Sequence, residues 1–260
     1  MNGKQKRLER ILKNEKAIII PMDHGVTNGP VQGLENMDEI VEKVDKAGAT
    51  AVVLHKGVIK SLKKPPDCGI IMHLSASTEL ALDVNNKVQV GTVEEAIRLG
   101  ADAVSVHVNI GGSEHEPEML QKLGRVAEEC ERLQVPLMAM MYPRGKNVTN
   151  ALDQKNIALV ARVGAELGAD LVKTVYTGNV KTFRKVVESC PVPIVIAGGP
   201  KCKTDKEVLE MVKEAMDAGA IGVSIGRNVF QHKTPEKMVL ALSVIIKENG
   251  SVKAALDVLK

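Results

Sequence analysis

Residues 167–173, LGADLVK, have three close variants in the chain: AGATAVV at 47–53, LGADAVS at 99–105 and AGAIGVS at 218–224. In each variant a glycine follows a helical pattern and precedes small and β-branched residues. A glycine after the last helical turn favours a left-handed C-cap, and a short apolar run favours a buried strand. The four stretches therefore predict four helix-to-strand turns of one repeated architecture.

Strands are predicted at eight short apolar runs bounded by glycine or proline: 17–22, 51–54, 69–74, 102–107, 136–141, 170–174, 193–197 and 221–225. Helical patterns lie between most of them, including 92–99, 153–167, 204–218 and 234–248. Alternating strands and helices indicate a parallel sheet with crossover helices. Eight such units in 260 residues predict an α/β fold, a (β/α)8 TIM barrel, as a single domain over residues 1–260.

The four similar turns precede the second, fourth, sixth and eighth predicted strands, which alternate around a barrel and share layers of its interior. The helix between the second and third strands is the weakest prediction, because only about fourteen residues are available for it. Residues 4–13 form an amphipathic pattern with Leu8, Ile11 and Leu12, which predicts a short helix over the closed end of the barrel. Residues 251–260 predict a terminal helix.

The composition argues against several classes of protein. The net charge is only +3 and basic residues are scattered among acidic ones, so no nucleic-acid partner is expected. No apolar run reaches the length of a membrane span, and the N-terminus lacks the apolar core of a signal peptide. The cysteines have neither disulfide-framework nor zinc-site spacing, which is typical of free thiols in a reducing compartment. We therefore expect a cytoplasmic protein without a membrane partner.

Lys173 stands inside the sixth predicted strand, between Val172 and Thr174. Burying a charged side chain is unfavourable, so a lysine in this position needs an explanation. Desolvation favours the uncharged amine, which attacks carbonyl groups and forms a Schiff base. The alternative is a structural lysine that forms an ion pair with a neighbour such as Asp23.

Asp23 follows the first predicted strand and Tyr142 ends the fifth. The active site of a TIM barrel lies at the carboxyl ends of its strands, so both are expected near Lys173. A carboxylate can accept a proton and a phenol can deliver one during carbonyl chemistry. The alternatives are an ion pair or loop cap for Asp23 and simple packing for Tyr142. Together the three residues indicate aldolase-type chemistry, in which an imine forms and protons are transferred.

Glycine-rich loops follow the seventh and eighth predicted strands, with Gly198 and Gly199 in one and Gly226 and Arg227 in the other. Loops in these positions recur as the phosphate site of TIM barrels, because small residues let backbone N–H groups approach the phosphate. Arg227 would add a positive charge. The alternative is that the glycines only permit tight turns.

His55, His73 and His107 end the second, third and fourth predicted strands. Three histidines can hold a zinc ion with one open position, which would indicate a metal-dependent lyase. That alternative leaves Lys173 unexplained, so we prefer the interpretation that the histidines bind substrate hydroxyls at the barrel mouth. The same mouth is expected to hold Lys56, Asn109 and His24, the last of which either orients substrate or hydrogen-bonds the first loop.

Five strand-end motifs follow one another along the chain: PMDHG at 21–25, MMYPRGK at 140–146, VKTVYTG at 172–178, AGGPK at 197–201 and GRNVFQ at 226–231. In these motifs, and over essentially its whole length, the chain resembles the archaeal class I aldolase family. The resemblance implies that Lys173 is the Schiff-base lysine, Tyr142 the proton donor and Asp23 the proton acceptor. It implies substrate contacts for His24, Gly25, Pro143, Arg144, Gly198, Gly199, Gly226 and Arg227. It also implies a homo-oligomer, often a decamer, that uses no metal and no other cofactor.

Within that family, the motifs PMDHGVTNGP at 21–30, HLS at 73–75 and HVNIG at 107–111 are most similar to a branch of transaldolase-like synthases of aromatic biosynthesis. This resemblance implies two substrates, the sugar phosphate 6-deoxy-5-ketofructose 1-phosphate and L-aspartate semialdehyde. A three-carbon unit would pass between them to give 2-amino-3,7-dideoxy-D-threo-hept-6-ulosonate. Class I fructose-1,6-bisphosphate aldolase is the leading alternative, because it would use the same catalytic residues. A metal-dependent lyase and a non-catalytic sugar-phosphate-binding protein are alternatives of other classes.

Overall fold

The computed structural model describes residues 2–260, and within this range eight parallel strands close into a barrel. The first to eighth barrel strands are Ala17–Pro21, Ala51–Leu54, Gly69–His73, Ala103–Ile110, Leu137–Pro143, Leu171–Val175, Ile194–Ala197 and Gly222–Ser224. Each strand pairs with the next one along the chain, and the first pairs with the eighth, with Ala17 opposite Gly222. The predicted single-domain (β/α)8 TIM barrel is confirmed.

Helices on the outside of the barrel connect consecutive strands. In chain order these connections are Met37–Lys46, Lys56–Ser61, Val93–Arg98, Glu116–Leu133, Gln154–Glu166, Val180–Ser189 and Asp205–Asp217. The eighth strand is followed by Pro235–Ile246 and Val252–Leu259. Shorter helices lie after the first and eighth strands, at Gly25–Asn28 and Arg227–Phe230, and Gly3–Ile11 precedes the barrel. The helix that the sequence predicted least well, between the second and third strands, is the six-residue Lys56–Ser61.

Two features of the sheet differ from the sequence-based expectation. The fourth and fifth strands continue beyond the predicted 107 and 141, to Ile110 and Pro143, and pair over that length. Polar residues at alternate positions of the fourth strand hide this extension in a hydrophobicity pattern. A small antiparallel hairpin, Ser75–Ala76 with Val88–Gln89, follows the third strand and was not predicted, because its strands are two residues long. We call residues 75–89 the hairpin.

The four repeated turns have the backbone conformation that the sequence predicted. Gly168 has a φ of +99°, in the region where a side chain would clash with the backbone. The equivalent glycines of the other three turns, Gly48, Gly100 and Gly219, have φ values of +94°, +79° and +107°. The helices before the even-numbered strands thus end in the same way, which gives these four units a common geometry.

The barrel interior takes every second residue of each strand. In the sixth strand Leu171 and Val175 belong to the interior cluster, whereas Val172 packs outward against the helices. Lys173 shares the inward alternation of Leu171 and Val175 and is 6% exposed. The period of the strand, rather than a local irregularity, therefore directs this lysine into the barrel.

The helix Gly3–Ile11 closes the amino-terminal end of the barrel, as predicted. Ile11 is 1% exposed and belongs to the interior cluster, with Leu8 packed beside it. Gly69 starts the third strand beneath this helix, where an added Cβ would lie 2.6 Å from the Ile11 side chain. Arg10 Nε lies 2.5 Å from Asp102 Oδ1, and this ion pair joins the helix to the residue just before the fourth strand. Because Gly69 has no side chain, the helix packs closely against the third strand. Ile11 therefore seals the barrel interior as an apolar plug.

The four cysteines, Cys68, Cys130, Cys190 and Cys202, are free thiols, as expected from their spacing. Burial raises the pKa of the Cys130 thiol to about 12, which keeps it in the unreactive thiol form. None of the helices formed by residues 2–260 is both long and apolar enough to cross a membrane.

Replacing the plug residue by alanine is expected to destabilise the barrel. Ile11→Ala should lower the free energy of unfolding by about 2–5 kcal/mol, because it removes buried methylene groups and leaves a cavity. Urea denaturation followed by circular dichroism measures this change. Leu240→Ala is the control, since Leu240 is 45% exposed, and its effect should stay within about 0.5 kcal/mol. Equal losses in the two variants would contradict the sealing role of Ile11.

Candidate active site

A pocket of about 210 Å³ opens at the carboxyl ends of the barrel strands. Every strand contributes to its lining, near its carboxyl end or just beyond it: Pro21, His55, His73, His107, Met140, Tyr142, Lys173, Val175, Ala197 and Ser224. The pocket therefore lies where the active sites of this fold are found.

Most of the predicted site residues line this one pocket: Asp23, His24, Tyr142, Arg144, Lys173, Gly198, Gly199, Gly226 and Arg227. Two do not. Gly25 is exposed at the start of a short helix, and Pro143 points away from Tyr142 and lines a separate cavity. Lys56 and Asn109, expected at the mouth, are also outside the lining, and Lys56 Nζ instead lies 3.1 Å from Glu95 Oε2.

Lys173 is the buried lysine at the centre of the pocket wall. Its backbone lies between Met140 of the fifth strand and Val195 of the seventh. Among residues 2–260, no carboxylate oxygen lies within 4.0 Å of its Nζ atom. The ion pair with Asp23 that would make Lys173 a structural residue is therefore not formed, and the amine faces the pocket.

Asp23 supplies a carboxylate within the same pocket. Its Oδ2 lies 3.7 Å from His73 Nε2 and its Oδ1 lies 3.8 Å from His24 Nδ1. Burial alone would raise the pKa of the Asp23 carboxyl, but His73, His24 and Lys173 together lower it to about 2. Asp23 is thus ionised at neutral pH, which is the form that can accept a proton.

The side chain of His24 lines the pocket and does not hydrogen-bond its own loop. Its side chain makes no capping hydrogen bond to the helix that it precedes, and its Nδ1 atom is buried without a hydrogen-bond partner among the described residues. Its ring packs edge-on against Phe230, with 5.1 Å between centroids. Burial lowers the pKa of His24, so the neutral ring is favoured. A ring nitrogen without a partner is available to a bound ligand.

His73 is held as a neutral ring. Its side chain is 5% exposed and its Nδ1 lies 2.8 Å from Ser105 Oγ. Burial lowers the pKa of His73 to about 3, and the attraction of Asp23 offsets only part of this effect. The neighbouring His55 ring, 5.3 Å away between centroids, also has its pKa lowered by burial. These two rings add hydrogen-bonding groups to the pocket without adding charge.

His107 is neutral for similar reasons, and its tautomer follows from its partner. Its Nε2 lies 2.9 Å from Asn109 Oδ1, while Asn109 Nδ2 donates to the carbonyl of Asn85. Because the amide oxygen can only accept, we assign the proton to Nε2 of His107. Burial, followed by the charges of Arg144 and Lys87, lowers the pKa of His107 well below 6.5.

The three strand-end histidines do not form a metal centre in this arrangement. Within residues 2–260, no group of three or more histidine, cysteine, aspartate or glutamate side chains has the geometry of a metal site. The positions of His55, His73 and His107 thus give no support to the zinc-site alternative.

Tyr142 is fixed by two flat neighbours. Its ring lies 4.9 Å from the His107 ring, and the Arg144 guanidinium lies 4.5 Å from its centroid. The side chain is 6% exposed and lines the pocket, and its hydroxyl has no hydrogen-bond partner in the part of the chain that the structure describes. The phenol is therefore held rigidly with a free hydroxyl.

The loops after the seventh and eighth strands form a cradle with unsatisfied donors. Gly199 has a φ of +64°, and a Cβ on Gly226 would lie 2.6 Å from the Pro21 carbonyl, so both positions require glycine. Arg227 donates to the Gly199 carbonyl at 2.8 Å. Among the described residues, Arg227 Nε and Ser224 Oγ are buried without hydrogen-bond partners. Orphaned donors beside small residues suit a bound anion.

Sequence reasoning missed several residues of the site. Ser224 lies at an inward position of the eighth strand, so the two-residue period of that strand would have identified it. Asn228 donates to the Gly198 carbonyl at 3.1 Å and braces the cradle, and the GRNVFQ motif contained it. Ser77 and Lys87 line the pocket from the hairpin, for which the sequence has no periodic signal.

Comparisons with known proteins agree with this geometry. Residues 17–232 match the sequence model of the DeoC/LacD family aldolases. The 2-amino-3,7-dideoxy-D-threo-hept-6-ulosonate synthase of Halobacterium salinarum is 43% identical over 255 residues, which cover 98% of this chain and 95% of that protein. The 2-amino-3,7-dideoxy-D-threo-hept-6-ulosonate synthase 1 of Archaeoglobus fulgidus is 45% identical over 260 residues, which cover 99% of this chain and 96% of that protein.

A solved structure extends the comparison to three dimensions. An archaeal fructose-1,6-bisphosphate aldolase, with its catalytic lysine covalently bound to the carbinolamine intermediate of the substrate, superposes with a TM-score of 0.86. That protein is 33% identical to this chain, and the match covers 94% of this chain and 99% of the other.

The neutral His73 ring is expected to make stability depend on pH. Between pH 6.5 and about 3, the unfolded chain binds a proton at His73 that the folded chain does not bind. The free energy of unfolding should therefore fall as pH falls through this window, by up to about 1.4 kcal/mol per pH unit. His73→Gln should reduce that slope, as measured by urea denaturation at a series of pH values.

His115→Gln is the matched control, because the His115 side chain is 46% exposed and lies outside the pocket. Its slope should equal that of the wild-type chain. An unchanged slope in His73→Gln would show that His73 is not held neutral.

Proposed function

The chain belongs to the DeoC/LacD aldolase family, and we propose that it transfers a three-carbon unit from 6-deoxy-5-ketofructose 1-phosphate to L-aspartate semialdehyde through a Schiff base on Lys173. The product would be 2-amino-3,7-dideoxy-D-threo-hept-6-ulosonate. Two relatives of similar length take their names from this compound. One observation carries the proposal. Lys173 is buried without an ion pair in the pocket that also holds Asp23 and Tyr142.

The first half-reaction would begin when Nζ of Lys173 adds to a ketone and water is lost, which gives an iminium ion. The product has a methyl group beside its ketone, so the reacting ketone is the one remote from the phosphate. The iminium nitrogen takes up the electron pair of the carbon–carbon bond that breaks. Asp23 accepts the proton of the hydroxyl group that becomes an aldehyde. A phosphorylated three-carbon dicarbonyl leaves, and a three-carbon enamine stays on Lys173.

The second half-reaction would reverse this sequence with another aldehyde. The enamine carbon attacks the aldehyde of L-aspartate semialdehyde, so a new carbon–carbon bond forms and the nitrogen becomes an iminium again. Tyr142 gives its proton to the alkoxide that develops at the former aldehyde. Asp23 then releases the proton that it accepted in the first half-reaction and Tyr142 is reprotonated, so both groups regain their starting forms. Water then hydrolyses the iminium, which frees the product and regenerates the Lys173 amine.

Cleavage of fructose 1,6-bisphosphate is the second candidate, and a specific observation favours it. The cradle with Ser224 and Arg227 lies in the same pocket as Lys173 and has unsatisfied donors. Fructose 1,6-bisphosphate carries a phosphate on the carbon next to its reacting ketone, which suits an anion site near the lysine. Turnover of the two sugars distinguishes the candidates, since both use the same Schiff-base lysine.

Borohydride reduction with 6-deoxy-5-ketofructose 1-phosphate is expected to attach the three-carbon unit to Lys173, as located by peptide mass spectrometry. Lys173→Met should give no adduct and no turnover. Tyr142→Phe should still form the adduct but turn over about 10²- to 10⁴-fold more slowly, because it lacks the proton donor. An adduct on a different lysine would overturn the proposal.

The same preparation separates the two candidate functions. Formation of the amino-ulosonate that requires L-aspartate semialdehyde supports the transfer reaction. Efficient cleavage of fructose 1,6-bisphosphate without an acceptor, and no amino-ulosonate, would make the chain a bisphosphate aldolase instead.

We further propose that the chain works in the cytoplasm as a homo-oligomer, up to a decamer. Leu80 and Leu82 in the hairpin are 92% and 111% exposed, and a second copy would cover this apolar surface. Light scattering after size exclusion is expected to give a mass several times that of one chain. Leu82→Ser should lower that mass, and a wild-type monomer at micromolar concentration would contradict the proposal.

A further inference from the structure

The pocket wall opposite the glycine cradle carries a second set of positive charges. The cradle follows the seventh and eighth strands, and the third and fourth strands lie diametrically across the barrel from these. Lys87, in the hairpin after the third strand, lines that opposite wall. Arg144, just after the fifth strand, also lines the pocket. Neither the phosphate cradle nor the proton transfers described above use Lys87.

Lys87 is buried and has no acidic partner. Its side chain is 9% exposed, and Nζ donates a hydrogen bond to the neutral hydroxyl of Ser77. Within residues 2–260, no carboxylate lies within 4.0 Å of Nζ of Lys87 or of the guanidinium of Arg144. Burial, followed by the charge of Arg144, lowers the pKa of Lys87. Two cations that line one pocket and contact no carboxylate indicate a site for an anion.

A second buried lysine, Lys122, holds Lys87 in position. Lys122 is 3% exposed, and its Nζ donates to the backbone carbonyls of Lys87 and His107, at 2.8 Å for the latter. Ser75 Oγ accepts a hydrogen bond from the His107 backbone at 3.0 Å and ties the other hairpin strand to the fourth barrel strand. The hairpin is thus fixed at both strands, and a charged side chain on a fixed backbone is suited to recognition.

The positive charges of Lys122 and Lys87 repel each other, so burying both lysines is unfavourable unless Lys87 has a binding role. Burial lowers the pKa of Lys122 to about 7, with the charge of Lys87 adding to the effect. An apolar residue in place of Lys87 would relieve the repulsion, so packing does not explain the lysine. A bound anion would compensate the charge of Lys87 and explain it.

We propose that Lys87 and Arg144 form a subsite for the anionic group at the end of each substrate that is distant from its reacting carbonyl. This inference rests on the proposed function. In 6-deoxy-5-ketofructose 1-phosphate, the phosphate and the ketone that reacts with Lys173 are at opposite ends of the molecule. In L-aspartate semialdehyde, the carboxylate and the aldehyde are likewise at opposite ends.

The order of the two half-reactions lets both anions use this one subsite. The phosphate leaves with the dicarbonyl fragment before the acceptor enters, so the phosphate and the carboxylate never occupy the pocket together. A phosphorylated acceptor such as glyceraldehyde 3-phosphate has the same disposition of charge and aldehyde. The chemistry that the subsite recognises is therefore an aldehyde or ketone with an anion at its far end, and Lys87 selects for that anion.

Hydroxyacetone isolates the acceptor step for a test. It forms on Lys173 the same three-carbon enamine as the ketose, without a phosphate. With hydroxyacetone as donor, Lys87→Met should raise the KM for L-aspartate semialdehyde about ten- to a hundredfold, because a hydrogen bond to a charged group is lost. The KM for propionaldehyde, which has no anion, should stay within about twofold of the wild-type value.

Three further variants complete the comparison. Lys87→Arg keeps the charge and should recover most of the preference for the anionic acceptor. Lys253→Met removes an exposed lysine outside the pocket and should match the wild type. If Lys87→Met does not fold, Lys87→Gln is compared with both acceptors in the same way. Equal loss with L-aspartate semialdehyde and propionaldehyde would overturn the subsite.

A third acceptor, glyceraldehyde 3-phosphate, shows whether the subsite binds a carboxylate, a phosphate or both. Loss with L-aspartate semialdehyde alone assigns a carboxylate subsite, loss with the phosphate alone assigns a phosphate subsite, and loss with both assigns a general anion subsite. If neither anionic acceptor shows a loss, the inference is overturned. A wild-type chain that gives no reducible adduct on Lys173 with either donor would instead refute the proposed function, so the two failures are distinguishable.

Discussion

Burial of an amine without a counter-ion is the constraint around which this pocket is arranged. The interior of a barrel desolvates Lys173, and a carboxylate in direct contact would hold it as an ammonium ion. Asp23 lies in the same pocket but outside ion-pair distance. Asp23 itself remains ionised, because its pKa is lowered to about 2. The separation keeps a potential nucleophile and a potential base in one cavity without neutralising either.

The histidines contribute to this balance because they are neutral. His73 is buried and His107 is half-buried, and their lowered pKa values remove the charge that they would carry in water near pH 6. The pocket then has Lys87, Arg144 and Arg227 as cationic groups with Asp23 as the opposing acid. A site with that excess of positive charge attracts anionic sugars, whereas the imidazole rings supply direction through hydrogen bonds. Charged histidines would add repulsion and weaken the directional contacts.

Sequence reasoning identified the barrel and the centre of the pocket because both depend on short-range patterns. The glycine turns and apolar runs define the strands, and the rule that barrel chemistry lies at strand ends selects Lys173, Tyr142 and Asp23. The same reasoning grouped Pro143 with Tyr142 because the two are adjacent in a motif. In a strand, adjacent side chains point to opposite faces, so only one of the two reaches the pocket.

The hairpin could not be found in this way. Its strands are two residues long, and Lys87 faces the pocket because of long-range hydrogen bonds from Lys122 and to Ser75. Contacts of this kind join residues far apart in the chain and leave no periodic trace in the sequence. The cradle was an intermediate case, since its glycines were evident but the buried Ser224 hydroxyl required the strand register.

The plug at the closed end has a consequence for how the molecule is assembled during synthesis. The helix Gly3–Ile11 leaves the ribosome before any of the barrel strands, yet it rests on the third and fourth of them. Its docking surface does not exist until residues 69–110 have been made, and the first strand stays unpaired on one side until Gly222–Ser224 arrives. The apolar face of the amphipathic helix therefore stays uncovered until the fourth strand has been made, and during that time it is exposed to chaperones and to premature association.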